Sequence, residues 1–174
     1  LDTDEIRQLV NRQFRGAEKK YKIESYEIVN LDSLDRPVEL RIDGAMTKPL
    51  RTIGSTAYFD PFIMNALSRR EKTSLSNRQF SLSLYYPDLE EDFVTITWDT
   101  TLALDSIAVP ESDSLTFPCG QFSLSNSQSD REISLTIRKA YDTYLIGTGD
   151  FEAFEDYRDR MKKSLSQHVK LYLQ

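Results

Sequence analysis

Cysteine and histidine each occur once in the 174 residues, as Cys119 and His168. A structural zinc site takes four Cys or His ligands and a catalytic one usually three, so neither can be built here without carboxylates. Cys119 alone forms no disulfide within the chain. Nucleophile and base machinery would have to join Cys119 to His168 or do without histidine. Positive charge is also short: 22 Lys+Arg stand against 28 Asp+Glu, a net charge of −6. Binding a phosphate backbone needs clustered Lys and Arg, and the basic runs Arg69-Arg70 and Lys162-Lys163 are too brief, so no nucleic-acid partner is expected. Apolar runs are pieces such as Pro61–Met64, far below the ~20 residues that span a bilayer, which excludes a transmembrane helix. No signal peptide is visible. The chain begins at Leu1 rather than methionine, so an N-terminal portion is expected to have been processed off or cut away, and missing targeting signals then say nothing about location.

Several chemical signatures are absent as well. The sequence holds no G-x-x-x-x-G-K-[ST], G-x-G-x-x-G, G-x-S-x-G or H-E-x-x-H. The six glycines are scattered singly apart from Gly147-Thr148-Gly149, a loop whose amides could hold an anion but which a turn into a helix explains equally well. What is present is apolar and aromatic: 39% hydrophobic residues and 11% aromatic, with nine Tyr and nine Phe, too many for a disordered acidic chain. A globule of this length buries roughly 68–70% of the surface its unfolded chain exposes. It needs neither metal nor disulfide to hold a core.

The apolar pattern changes period along the chain. Asp2-Thr3-Asp4-Glu5 followed by Ile6, Leu9, Val10 and Phe14 predicts a short N-terminal helix with acidic residues on its positive dipole end. After Gly16 the period falls to two. Val38, Leu40 and Ile42 alternate with charged residues; Phe80, Leu82 and Leu84 alternate with serine; Val94, Ile96 and Trp98 with threonine; and Ile133, Leu135 and Ile137 with Ser134 and Thr136. Weaker strands are expected at 21–31, 55–59, 102–109 and 121–125, and turns at 31–37, 87–92, 110–114 and 125–130. The expected fold is mainly β: an antiparallel β-sandwich of one or two small units, residues 1–65 with the N-terminal helix and 66–174 with a C-terminal helix. That last helix starts at Asp150 as a candidate cap, and its stripe Phe151, Phe154, Tyr157, Met161 and Leu165 is expected to dock on the domain's own sheet. Val169, Leu171 and Leu173 then alternate with His168, Lys170 and Tyr172 as a final strand.

Candidate sites are few. Cys119 lies in Phe117-Pro118-Cys119-Gly120, with neither a helix N-terminus nor an adjacent imidazolium to lower its pKa, and reads with His168 as structural. Asp88, Glu90, Glu91 and Asp92 could act as acid and base in a hydrolase or as calcium ligands, but a solvated hairpin turn accounts for them, and for the looser set Asp105, Glu111 and Asp113. Tyr58, Tyr85, Tyr86, Trp98, Tyr141 and Tyr144 could form a stacking platform. Of these, Tyr85, Tyr86 and Trp98 are the candidate ligand-binding residues. No catalytic, metal-binding or cofactor-binding residue is assigned.

Four stretches carry a family resemblance. Asn30-Leu31-Asp32-Ser33-Leu34-Asp35-Arg36-Pro37-Val38, then Arg78-Gln79-Phe80 through Tyr86-Pro87, then Ile107-Ala108-Val109-Pro110-Glu111, and finally Asp150-Phe151-Glu152-Ala153-Phe154-Glu155-Asp156-Tyr157 resemble the C-terminal region of large bacterial envelope proteins with a transglutaminase-like domain. In that family a β-sandwich and a papain-like core precede small β units of unknown function that end in a short helix. Its catalytic site needs Cys, His and Asp in chain order, and here no Asp follows His168, so no catalytic residue carries over. The resemblance implies a non-catalytic accessory or scaffold domain, periplasmic or secreted, whose partner is the upstream transglutaminase-like domain of the same polypeptide. A carbohydrate- or peptide-binding β-sandwich module, with a glycan or protein ligand, is the alternative.

Overall fold

The computed structural model describes residues 21–30, 35–36, 39–46, 49–62, 78–84, 88–99 and 102–174. The chain divides into two compact units, Leu1–Arg51 and Thr52–Gln174. The helix expected over residues 2–14 lies outside the described residues, as does the expected boundary between residues 65 and 66.

In the first unit β1 (Tyr21–Val29) and β2 (Glu39–Met46) pair antiparallel, with one register shift between Ile23 and Ser25. Outward residues stitch the ribbon: the Ser25 hydroxyl donates to Asp43 at 3.0 Å, and Arg41 lies 3.6 Å from Glu27 across the strands. Asn30 follows β1 with φ 65, a left-handed conformation that asparagine tolerates better than most residues.

The second unit holds two four-stranded sheets. One contains β3 (Leu50–Ile53), whose first two residues end the first unit, β4 (Thr56–Phe59), β7 (Leu104–Ala108) and β12 (Val169–Leu173) in the spatial order β3-β4-β12-β7. Gly54, at φ +60, makes the turn between β3 and β4. The other contains β6 (Asp88–Thr97), β8 (Asp113–Phe117), β9 (Gly120–Ser129) and β10 (Glu132–Tyr141) in the order β6-β10-β9-β8. A two-residue turn, Asp130-Arg131, joins β9 to β10, and Pro118-Cys119 joins β8 to β9. Two short strands, β5 (Leu82–Ser83) and β11 (Leu145–Ile146), pair with each other. Gly120 opposite Tyr141 is sterically required, because a Cβ there would run into the Ala140 carbonyl oxygen and the Phe117 ring.

Period two explains this sheet directly. Ile133, Leu135 and Ile137 of β10 and Phe122 and Leu124 of β9 are each at most 1% exposed, while Ser134, Thr136, Ser123 and Ser125 take the opposite face. The core they form also takes in Ala57 of β4, Val169 and Leu171 of β12, and the terminal helix. That helix, α1 (Phe151–Ser164), follows a 3-10 turn at Thr148–Asp150. Its predicted stripe is buried in full, Leu165 included. Phe117 of β8 meets the Tyr157 ring at 4.4 Å and the Phe154 ring at 5.5 Å. Burying five such side chains is worth on the order of 10 kcal/mol, which is why a helix of this length, marginal in isolation, holds here. Glu152 sits in its first turn and Lys162 and Lys163 in its last, matched to the dipole.

The architecture is therefore mainly β, with antiparallel pairing and a C-terminal helix. Among the described residues no helix is long and apolar enough to cross a membrane. Four local expectations are corrected. Residues 88–92, expected as a turn, belong to β6, and residues 125–129, also expected as a turn, continue β9. In both cases the ladder to β10 overrides local composition, which favours neither charge nor serine in a strand. Phe80 is 79% exposed rather than core-facing: among the described residues the pairing of its stretch begins at Leu82. Asp150 stands at the N-cap of α1 but its side chain makes no capping hydrogen bond.

Candidate functional site

Trp98 extends the inner face of β6 beyond Val94 and Ile96. All three are half-buried and pack on the core. Trp98 also lines an open pocket of about 320 Å³. Asp99 follows it in sequence; Leu102, Leu104, Asp105, Ser106 and Ile107 come from β7 and its approach; Gln128, Asp130 and Arg131 come from the β9–β10 hairpin. Each contribution has a local cause. The tight Asp130-Arg131 turn projects charged side chains at the end of the sheet, and β7 brings Asp105 from the other sheet. Three carboxylates against one guanidinium leave the lining acidic. Its residues supply carboxylate acceptors, the Gln128 amide, the Arg131 guanidinium and a tryptophan. A pocket of this size and mixture suits a small polar ligand. Among the described residues no group of three His, Cys, Asp or Glu side chains is placed to share a metal ion.

The other expected ligand-binding residues, Tyr85 and Tyr86, lie outside the described residues. The remaining aromatics do not assemble into one platform. Tyr58 is half-buried in the first of the two sheets, with its ring edge-on to His168 at 6.5 Å; Tyr141 is buried beneath α1; and Tyr144 is 56% exposed. The set Asp105, Glu111 and Asp113 likewise separates. Asp105 lines the pocket, the Glu111 backbone N–H donates to the Gln167 side chain at 2.8 Å, and Asp113 accepts a short hydrogen bond from the Ser164 hydroxyl near the end of α1. Sequence reasoning missed Gln128, Asp130 and Arg131, since a polar hairpin turn carries no local mark of what stands across from it.

Cys119 and His168 stay apart in role as well as in place. Cys119 occupies the β8–β9 turn, where its carbonyl accepts the Asp142 N–H at 3.0 Å. Burial pushes its thiol pKa up, and the carboxylates of Asp150 and Asp142 push it further. These conditions disfavour a nucleophilic thiolate. His168 is exposed and precedes β12 in the other sheet. Among the described residues no hydrogen bond joins the two.

A second polar constellation lies under α1. Lys139 is 1% exposed and occupies the inner face of β10, in line with Ile133, Leu135 and Ile137. Its ammonium lies 2.8 Å from Glu90, its cross-strand partner on β6, and 5.1 Å from the centre of the Tyr141 ring. The Tyr157 hydroxyl of α1 is buried without a hydrogen-bond partner. Burial first, and then the neighbouring Tyr141 and Glu90, push its pKa well above the ordinary value. Of the four carboxylates weighed from the sequence, Glu90 thus neutralises a buried lysine, and Glu91 pairs with exposed Arg138 at 3.4 Å on the outer face. Both carboxylates lie in ion pairs across the β6–β10 ladder.

Fold and site together define an antiparallel β protein with a helix docked by an aromatic stripe and an acidic, tryptophan-lined pocket at one sheet end. No protein-family model matches the chain, and neither a curated protein nor a solved structure matches it.

Proposed function

We propose that this chain is a non-catalytic accessory β domain that holds a polyhydroxylated ligand, a glycan, in the Trp98 pocket. The carrying observation is the pocket itself, which Trp98 lines beside Asp99, Asp105, Gln128, Asp130 and Arg131. A sugar ring offers an apolar C–H face to an aromatic ring and a fringe of hydroxyls to carboxylates, amides and guanidinium, which is the mixture found here. The reading takes the two four-stranded sheets as the layers of a β-sandwich, with the pocket at one end. It sets the domain in a periplasmic or secreted bacterial protein beside a transglutaminase-like core, where a glycan site would serve to position an envelope substrate. The raised pKa of Cys119 counts against thiolate chemistry at that residue.

Titration calorimetry with soluble peptidoglycan fragments and neutral oligosaccharides tests it. The reading requires saturable binding that Trp98→Ala weakens by at least about tenfold, a typical cost of removing an aromatic anchor. Binding indifferent to Trp98→Ala, or none to any glycan, overturns it. Trp98→Phe separates the roles of the ring, because it keeps an aromatic surface packed on the core.

A further inference from the structure

The sheet β6-β10-β9-β8 has two unlike edges. Strand β8 spans five residues and has α1 packed against it. Strand β6 spans ten and pairs with β10 at ten consecutive positions without a bulge; among the described residues its other side takes no strand. Natural edges are usually shortened, bulged, covered or protected by charged side chains, some of them pointing inward. The charges of β6 fall only in its first half, at Asp88, Glu90, Glu91 and Asp92. The second half, Phe93-Val94-Thr95-Ile96-Thr97, has no charge, proline or glycine and is rich in β-branched residues. On the outer face Phe93 is 73% exposed and Leu89 53%.

We infer that β6 joins two copies of this chain by antiparallel strand addition about a two-fold axis at Phe93. Phe93 then lies opposite Phe93 of the second copy, Glu91 opposite Thr95, and Leu89 opposite Thr97. The charge pattern selects this occupant and this direction. Antiparallel pairing sets the acidic half of each strand against the uncharged half of the other, whereas parallel in-register pairing aligns Glu90, Glu91 and Asp92 with their own copies, and directly opposed like charges are destabilising. The resulting interface is isologous and closed, as a two-fold dimer requires.

Sedimentation of the full chain over a dilution series tests the inference, and a concentration-dependent dimer is expected. Phe93→Lys and Phe93→Glu, at a side chain that contributes nothing to the core, each weaken the dimer by about tenfold or more while far-ultraviolet dichroism stays unchanged. An equimolar mixture of the two variants restores it, because lysine then faces glutamate only if residue 93 opposes itself. A chain that is monomeric at every concentration, a dimer that neither variant weakens, or a mixture that fails to recover overturns the inference. A monomeric chain that binds a lysine-rich extended peptide also overturns it, by assigning the edge to a foreign strand.

Discussion

The inner face of β10 has two ends built on different physics. At one end Ile133, Leu135 and Ile137 are at most 1% exposed and face the apolar core. At the other the same alternation continues with Lys139, also 1% exposed, and Tyr141. An aliphatic side chain gains free energy from leaving water in proportion to its area and asks little of any single neighbour. A buried ammonium must recover a large desolvation penalty from specific partners, and so depends on Glu90 and on the Tyr141 face. One strand thus carries a stretch that tolerates exchange among apolar residues and a stretch that depends on identities far away in sequence.

The strongest way to break this comparison is Glu90→Ala, which removes the carboxylate 2.8 Å from the buried Lys139 ammonium. A loss of about 3–5 kcal/mol is expected by urea unfolding, and the double variant Glu90→Leu with Lys139→Met recovers most of it. A loss near zero for Glu90→Ala would show that the pair does not hold the sheet. At the aliphatic end, Leu135→Ala is expected to cost about 3 kcal/mol through transfer and cavity terms, with no single second substitution to rescue it. The smallest effect is at Tyr157, whose buried hydroxyl has no partner: Tyr157→Phe should raise stability by about 1 kcal/mol, since it removes an unmet hydrogen bond and keeps the ring against Phe117.

The same residue sharpens the comparison through pH. Tyr157 and Cys119 both have folded pKa values above their ordinary 10.0 and 9.0. The folded state therefore keeps protons that the unfolded chain releases, so this part of the stability is complete below about pH 9 and is lost as pH rises beyond it. Unfolding midpoints measured between roughly pH 8 and 11 should fall for the native sequence, and fall less steeply above pH 10 for Tyr157→Phe.

How much of this was legible in the chain follows from range. The α1 stripe is read in one dimension, because residues three and four apart share a helix face whatever lies across from it, and all five predicted positions are buried. The alternations at 133–137 and 94–98 were equally legible. Two polar runs misled for one reason: Asp88 to Asp92 and Ser125 to Ser129 have the composition of turns, yet both are held as strand by β10, a neighbour chosen by the sheet. Of the candidate site, Trp98 was singled out from its residue type, while Gln128, Asp130 and Arg131 join it only because the β9–β10 hairpin ends beside it.

By itself the sequence determined the class, a mainly β chain closed by an amphipathic helix, and the lack of paired thiols or imidazoles. Both are statements about composition and period, which are local. The tertiary structure alone decided which charges are solvated and which are structural. Lys139 reads as an ordinary surface lysine until β6 is laid beside it, because the cost of burying a charge is set by what stands opposite, and register is a property of two strands rather than one.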